Sequence, residues 1–302
     1  MQSLDTLVFE SPLVRAAHFR CEARDPRFRD SGPVENCIVV FPRTAVWLTY
    51  AGSRPFVADP SLATIYNSGQ EYRREPISRE GDHCEWLAVS PSIAREISES
   101  FNESACDNWD RPFAAKSARV DRDLYLSQRA FFTRLERGEL SPLEAEETII
   151  GLVSSVIARA YDQMRVIRDD TEWQVDLVER TKASLLAKLC DRQSLGDLAA
   201  EMQVSPFHLC RVFRRRTGQT LHEYKTDLRL RRALHLIGEH TRDLSRIALE
   251  CGFSVTVTSH QRCAECSGAL RRNLEESSPE DHARERPIMN TSATHAIRTP
   301  AA

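Results

Sequence analysis

No stretch of this 302-residue sequence is long and apolar enough to span a membrane, so no membrane partner is expected. The amino terminus, MQSLDTLVFESPLVRAAHFR, lacks the basic start, apolar run and small-residue cleavage site of a secretory signal. A soluble, cytoplasmic protein is the expectation. Glycine is sparse, at 11 residues, and neither a phosphate-binding glycine loop nor a nucleophile elbow is present, which leaves the usual nucleotide-binding and serine-nucleophile enzymes without their chemistry. Cysteine is not scarce, but the nine cysteines are odd in number and scattered from Cys21 to Cys266 in a chain too long to need stapling. That usage fits a reducing compartment better than a disulfide framework.

What remains is an ordinary globular composition, 41% hydrophobic and 28% charged, at a length that suggests two domains. The net charge of -3 is uninformative until it is divided. Between Ser205 and Arg246 lie ten Lys or Arg against four Asp or Glu, a local +6, so the rest of the chain carries -9. One basic segment in an acidic protein is the distribution expected where a single region meets a polyanion.

From about Asn36 to Val89 the segments CIVVF, AVWLTY, PFVA, ATIY and CEWLAV are short and rich in β-branched and aromatic residues. Turn formers separate them, which predicts a small β-sandwich or barrel. A helical hairpin follows. Leu124, Phe131 and Leu135 share one face of a helix ending near Gly138. Ser141, Pro142 and Glu144 then supply an N-cap, a first-turn proline and a capping box for a second helix, whose apolar stripe is Ile149, Ile150, Val153, Val156 and Ile157. The polar stretch YDQMRVIRDDTEWQ reads as a linker, and from Glu172 to Cys251 the pattern is helical with short breaks.

In LGDLAAEMQVSPFHLCRVFRRR, Ala199 is a small residue where two helices of a helix-turn-helix unit cross. Leu195, Leu198, Met202, Val204, Leu209 and Val212 fall at the core offsets. Gln203 stands where glycine is usual in the turn and must take positive φ or modify it. Ser205 caps the next helix and Pro206 occupies its first position. With Leu209, Val212 and Phe213 committed to the core, Phe207, His208, Cys210, Arg211, Arg214 and Arg215 face outward. Arginine can donate twice to guanine, an aromatic can touch a thymine methyl, and further arginines can neutralise phosphates. A second copy begins after a connecting helix bearing Leu221, Tyr224, Leu228, Leu234 and Ile237. In it Ala248 is the small residue, Leu244, Ile247, Cys251 and Phe253 take the core offsets, and Gly252 sits in the turn.

These motifs, over about residues 172–254, resemble the paired helix-turn-helix domain of AraC/XylS-type transcription regulators. The segments VFPRTAVWL and YNSGQEYRREPISREGD resemble the cupin-like sensor domain of some members. The resemblance implies an α+β protein: a cupin-like β-sandwich or barrel over 1–110, a helical hairpin and linker over 111–170, and an all-α DNA-binding domain over 171–254. It also implies double-stranded DNA, RNA polymerase, a small-molecule effector and a second copy of the chain as partners, with no cofactor and no catalysis. By position Phe207, Cys210 and Arg211 correspond to base readers, although Cys210 is a weak donor for that task. Arg43, Trp47, Tyr66 and Tyr72 are the candidates to line an effector pocket.

After Ser254 the family pattern stops. VTVTSHQRCAECSGALRRNLEE has adjacent β-branched residues and no apolar helical stripe. Shifting every codon by one base permits SHSHFTPALRRVFGCSPSEFR, the kind of string that the resemblance implies for a second recognition helix and its closing motif. The expectation is therefore a frame change after Ser254, with 255–302 an unselected, disordered tail, and with Ile247, Cys251 and Phe253 left exposed. On this reading the cluster His260, Cys263 and Cys266 arises by chance; as a zinc module it would need a fourth ligand, with Cys251 nearest. A metal-dependent cupin enzyme is the rival for the β-region, but only His83 near its end and His18 upstream offer imidazoles.

Overall fold

A computed structural model describes residues 4–30, 32–101, 111–165, 170–239 and 244–253. The fold is α+β. Its strands are β1 (Asp5–Glu10), β2 (Val14–Cys21), β3 (Cys37–Pro42), β4 (Val46–Tyr50), β5 (Phe56–Ala58), β6 (Leu62–Tyr66), β7 (Tyr72–Pro76), β8 (Asp82–Val89) and, after helix α1 (Pro91–Glu99), β9 (Ser117–Arg119). Helices α2 (Arg122–Glu136), α3 (Pro142–Arg165), α4 (Glu172–Ala187), α5 (Leu195–Glu201), α6 (Pro206–Thr217), α7 (Leu221–Glu239) and α8 (Leu244–Glu250) complete it.

The strands pair antiparallel into a six-stranded sheet, β1-β2-β8-β3-β6-β9, and a three-stranded sheet, β5-β4-β7. Both faces of the larger sheet are covered, and the side-chain alternation of a strand assigns residues to each. Val39, Phe41, Leu87 and Val89 pack with α2 and α3 residues such as Phe132, Ile149 and Val153. Ile38, Val40, Cys84 and Trp86 face Val46, Leu48 and Ala58 of the smaller sheet. This double burial is why β3, CIVVFP, reads as a continuous apolar run, while β8 also buries Glu85, paired with Arg43 and Arg129.

The hairpin forms as its capping signals dictate. The Glu144 amide donates to Ser141 Oγ at 3.3 Å and the Ser141 amide to Glu144 Oε2 at 2.8 Å, while Gly138 turns the chain with φ +67°. Strands β1, β2, β7 and β9 and helix α1 lie outside the segments recognised from sequence. The supposed linker YDQMRVIRDDTEWQ is mostly helical at its ends: α3 runs to Arg165 and α4 begins at Glu172.

A second core belongs to the helices: Leu177, Val178 and Leu185 of α4 join Leu198, Met202, Leu209, Val212, Phe213, Tyr224 and Leu228. Two residues assigned to core offsets are corrected. Leu195 and Leu244 each open a seven-residue helix and are 42% exposed, because no preceding turn brings a partner over a first-turn side chain. Ile247 and Cys251 were expected to be exposed and are fully buried, clustered with Ala233, Leu236, Ile237 and Phe253. The tail 255–302, with His260, Cys263 and Cys266, lies outside the described residues. Among the described residues no helix is long and apolar enough to cross a membrane.

Candidate nucleic-acid interface

Helix α5 starts in a reciprocal capping box, with the Asp197 amide donating to Ser194 Oγ at 3.1 Å and the Ser194 amide to Asp197 Oδ2 at 3.3 Å. It ends at a tight turn in which Gln203 adopts φ +59° and the Val204 amide donates to the Ala199 carbonyl at 3.0 Å. Gln203 thus takes the left-handed conformation that the missing glycine demanded, at modest local cost. Ser205 then caps α6, its Oγ accepting from the His208 amide at 3.2 Å, with Pro206 at the first helical position.

Leu209 and Phe213 are completely buried, and the Phe213 ring meets Tyr224 edge-on at 5.4 Å between centroids. Each buried side chain of this size contributes about 2 kcal/mol, which fixes the rotation of α6 and hence its outward face. That face carries Phe207, which is 78% exposed, and exposed Cys210, Arg211 and Arg214. Two residues expected beside them are engaged elsewhere. The His208 ring lies against Trp173 of α4, 5.5 Å between centroids, and Arg215 is turned back to Asp170 and Gln174.

Asp170, Trp173 and Arg216 therefore belong to this surface although sequence reasoning did not find them. The Asp170 carboxylate accepts from Arg215 Nε at 3.1 Å and from Arg216 Nη1 at 2.8 Å, and the Arg215 and Arg216 hydrogen bonds hold its carboxyl below the usual range. Only Trp173, an exposed aromatic in a polar stretch, carried a hint in the sequence.

A polar seam joins these helices to the β-sheets. Tyr224 Oη donates to Asp59 Oδ2 at 2.8 Å with both residues buried. Arg231, 5% exposed, donates to the Pro60 carbonyl at 2.6 Å, the Val120 carbonyl at 2.8 Å and Asp227 Oδ2 at 2.8 Å, and lies over the Tyr125 ring. Glu179 of α4 accepts the Val57 amide at 2.8 Å, and the Arg216 carbonyl accepts from Arg119 Nη2 at 2.6 Å.

Between the two sheets lies a cavity of about 390 Å³, lined among others by Phe19, Tyr66, Tyr72, Arg74, Cys84 and Trp86. Of the four effector candidates, Tyr66 and Tyr72 border it. Arg43 and Trp47 do not. Arg43 is buried on the opposite face of the large sheet, paired with Glu85 and Gln128, and Trp47 alternates outward between the inward-facing Val46 and Leu48. Among the described residues no group of three or more His, Cys, Asp or Glu is arranged to hold a metal ion. His18 bonds Glu136 through Nε2 at 2.7 Å.

A family model described as a helix-turn-helix domain matches residues 198–265. The match runs past Ser254 to Glu265, into the stretch expected to lie outside the family pattern. The HTH-type transcriptional activator RhaR of Mannheimia succiniciproducens is 23% identical over 143 residues, covering 46% of this chain and 50% of that protein. The chain thus spans about half the length of that relative. Among solved structures, ToxT from Vibrio cholerae aligns over 89% of this chain and 97% of its own at 11% identity and a TM-score of 0.36. The AraC-like transcriptional activator CuxR aligns over 72% of each chain at 14% identity and a TM-score of 0.30. With α5, the left-handed turn and α6 in place, and α8 repeating α5 and its turn at the far end of α7, the chain carries a helix-turn-helix domain.

Proposed function

We propose that this protein is a cytoplasmic, non-catalytic transcription regulator that binds specific DNA through α6, with α8 opening a second DNA-reading unit. The observation that carries the reading is the outward face of α6. Phe207, Arg211 and Arg214 are held exposed by a helix that is otherwise locked into its core. Arg211 and Phe207 would read base edges, with Cys210 beside them as a thiol of weak donor strength. Arg214 and Arg215 would neutralise phosphates, and Ser205 and His208 hold the start of the helix. The organisation is a sensor over 1–110, hairpin and linker over 111–170, and DNA-binding helices over 171–254. RNA polymerase, a second copy and a small molecule in the cavity between the sheets, against Tyr66 and Tyr72, are the further partners.

The test is a mobility shift on fragments of the gene's own upstream region at several salt concentrations. Arg211→Ala is expected to weaken specific binding by roughly 10-fold or more and to relax sequence preference at one position. Sequencing the locus tests the frame change, which requires the earlier frame to encode the string reconstructed above. If the frame-restored protein binds no upstream fragment in a salt-dependent way, the reading is wrong.

A further inference from the structure

Arg215 and Arg216 belong to α6, yet both guanidinium groups reach the carboxylate of Asp170 outside it. Asp170 directly precedes the Thr171 cap of α4. It accepts from Arg215 through Nε at 3.1 Å and again through Nη2, and from Arg216 through Nη1 at 2.8 Å. Gln174 Oε1 adds a further acceptor for Arg215 Nη2 at 2.9 Å, while also accepting from the Thr171 amide at 3.3 Å. The asymmetry of exposure matters. The Asp170 side chain is 5% exposed beneath the arginines, whereas that of Arg215 is 53% exposed, beside the reading face.

An anion with two oxygens, clasped by the fork of one arginine and the tip of the next, is the arrangement in which guanidinium groups hold a phosphodiester. We propose that Asp170 is an internal stand-in for a DNA phosphate: it occupies Arg215 and Arg216 in a self-contact that DNA must displace, and so sets an electrostatic threshold on binding. The inference rests on the DNA-binding reading and adds a regulator of that same site. Asp170 lies in the connection between α3, which ends at Arg165, and α4. The same end of α6 is fastened to β9 through the bond from Arg119 to the Arg216 carbonyl.

Asp170→Asn removes the charge and keeps the shape. Asp176→Asn is the control, since it removes one negative charge from exposed α4 surface, where Asp176 pairs with Arg180 at 3.8 Å. Full-length variants are titrated by fluorescence anisotropy onto a labelled random-sequence duplex of roughly 30 base pairs between about 50 and 200 mM salt. Asp170→Asn is expected to tighten binding about 5-fold more than Asp176→Asn, with the slope of log affinity against log salt unchanged, because the same phosphates are neutralised once the self-contact is displaced. In an Arg215→Gln background the extra gain should fall to the control level. Equal effects of the two substitutions, with the wild type binding DNA, overturn the role of Asp170 alone. So does a gain that survives Arg215→Gln. Absence of salt-sensitive binding by every variant, each shown to be folded by its thermal melt, overturns both this inference and the DNA-binding reading beneath it.

Discussion

The first helix-turn-helix unit and the half-unit that repeats it solve one geometric problem under different constraints. Each opens with a seven-residue helix, buries an alanine at the crossing (Ala199, Ala248) and closes with a left-handed residue, Gln203 at φ +59° and Gly252 at φ +78°. The closing bonds match: the Val204 amide reaches the Ala199 carbonyl at 3.0 Å, and the Phe253 amide reaches that of Ala248 at 2.9 Å. Yet Gln203 is exposed, whereas a Cβ at Gly252 would stand 2.7 Å from the Cys190 carbonyl oxygen and 2.8 Å from its Cα. Backbone conformation alone therefore does not decide which residue a turn accepts. What packs against the turn decides it. Anchoring differs too, since Tyr224 and Arg231 fasten the first unit to the β-sheets through buried polar groups. The half-unit rests on a small apolar cluster with α7.

The largest expected effect comes from cutting the anchor of the first unit. Arg231→Met strands the Asp227 carboxylate and the carbonyls of Pro60 and Val120, and should lower stability in urea melts of the full chain by about 3 kcal/mol. A loss below about 1 kcal/mol would show that the seam does not distinguish the two units. Gly252→Ala should follow at about 2 kcal/mol, because the added methyl meets backbone that cannot move aside. Its loss should appear as faster hydrogen exchange at amides of α8, with α5 and α6 unaffected. Gln203→Gly is the smallest change and opposite in sign, a gain of at most about 1 kcal/mol from relieving the left-handed strain. If both turn substitutions moved stability in the same direction, the contrast between the turns would fail.

The outward face of α6 was legible because helical period and capping determine it locally. Ser205 and Pro206 fix where α6 starts, Leu209, Val212 and Phe213 fix its rotation, and Phe207, Cys210, Arg211 and Arg214 follow. The engagement of Arg215 was not legible, because its partner Asp170 is 45 residues away and meets it only through the packing of α4 on α6. Among the strands, β3 and β8 announced themselves by two buried faces. The edge strand β7, YRREP, did not, because its one fully buried residue is Arg74, 2% exposed and paired with Asp82 at 2.5 Å. An inward charge is a common protection of sheet edges and erases the apolar signal by which strands are recognised. Strand β2 hid for another reason, its core positions including Ala16 and Ala17, which carry little strand preference. For the cavity, a period of two separates Trp47 from its inward neighbours, a distinction composition does not make.

The short strand β5 and the turn after it carry a mechanical consequence. In consecutive residues, the Val57 amide is tied to α4, Ala58 forms part of the cavity wall, Asp59 receives Tyr224, and the Pro60 carbonyl receives Arg231. Close-packed interiors transmit displacement instead of absorbing it. This segment is thus a strut with one side on the cavity and two feet on the helices α4 and α7. A displacement at Ala58 would therefore reach α4 and α7 through the same few residues.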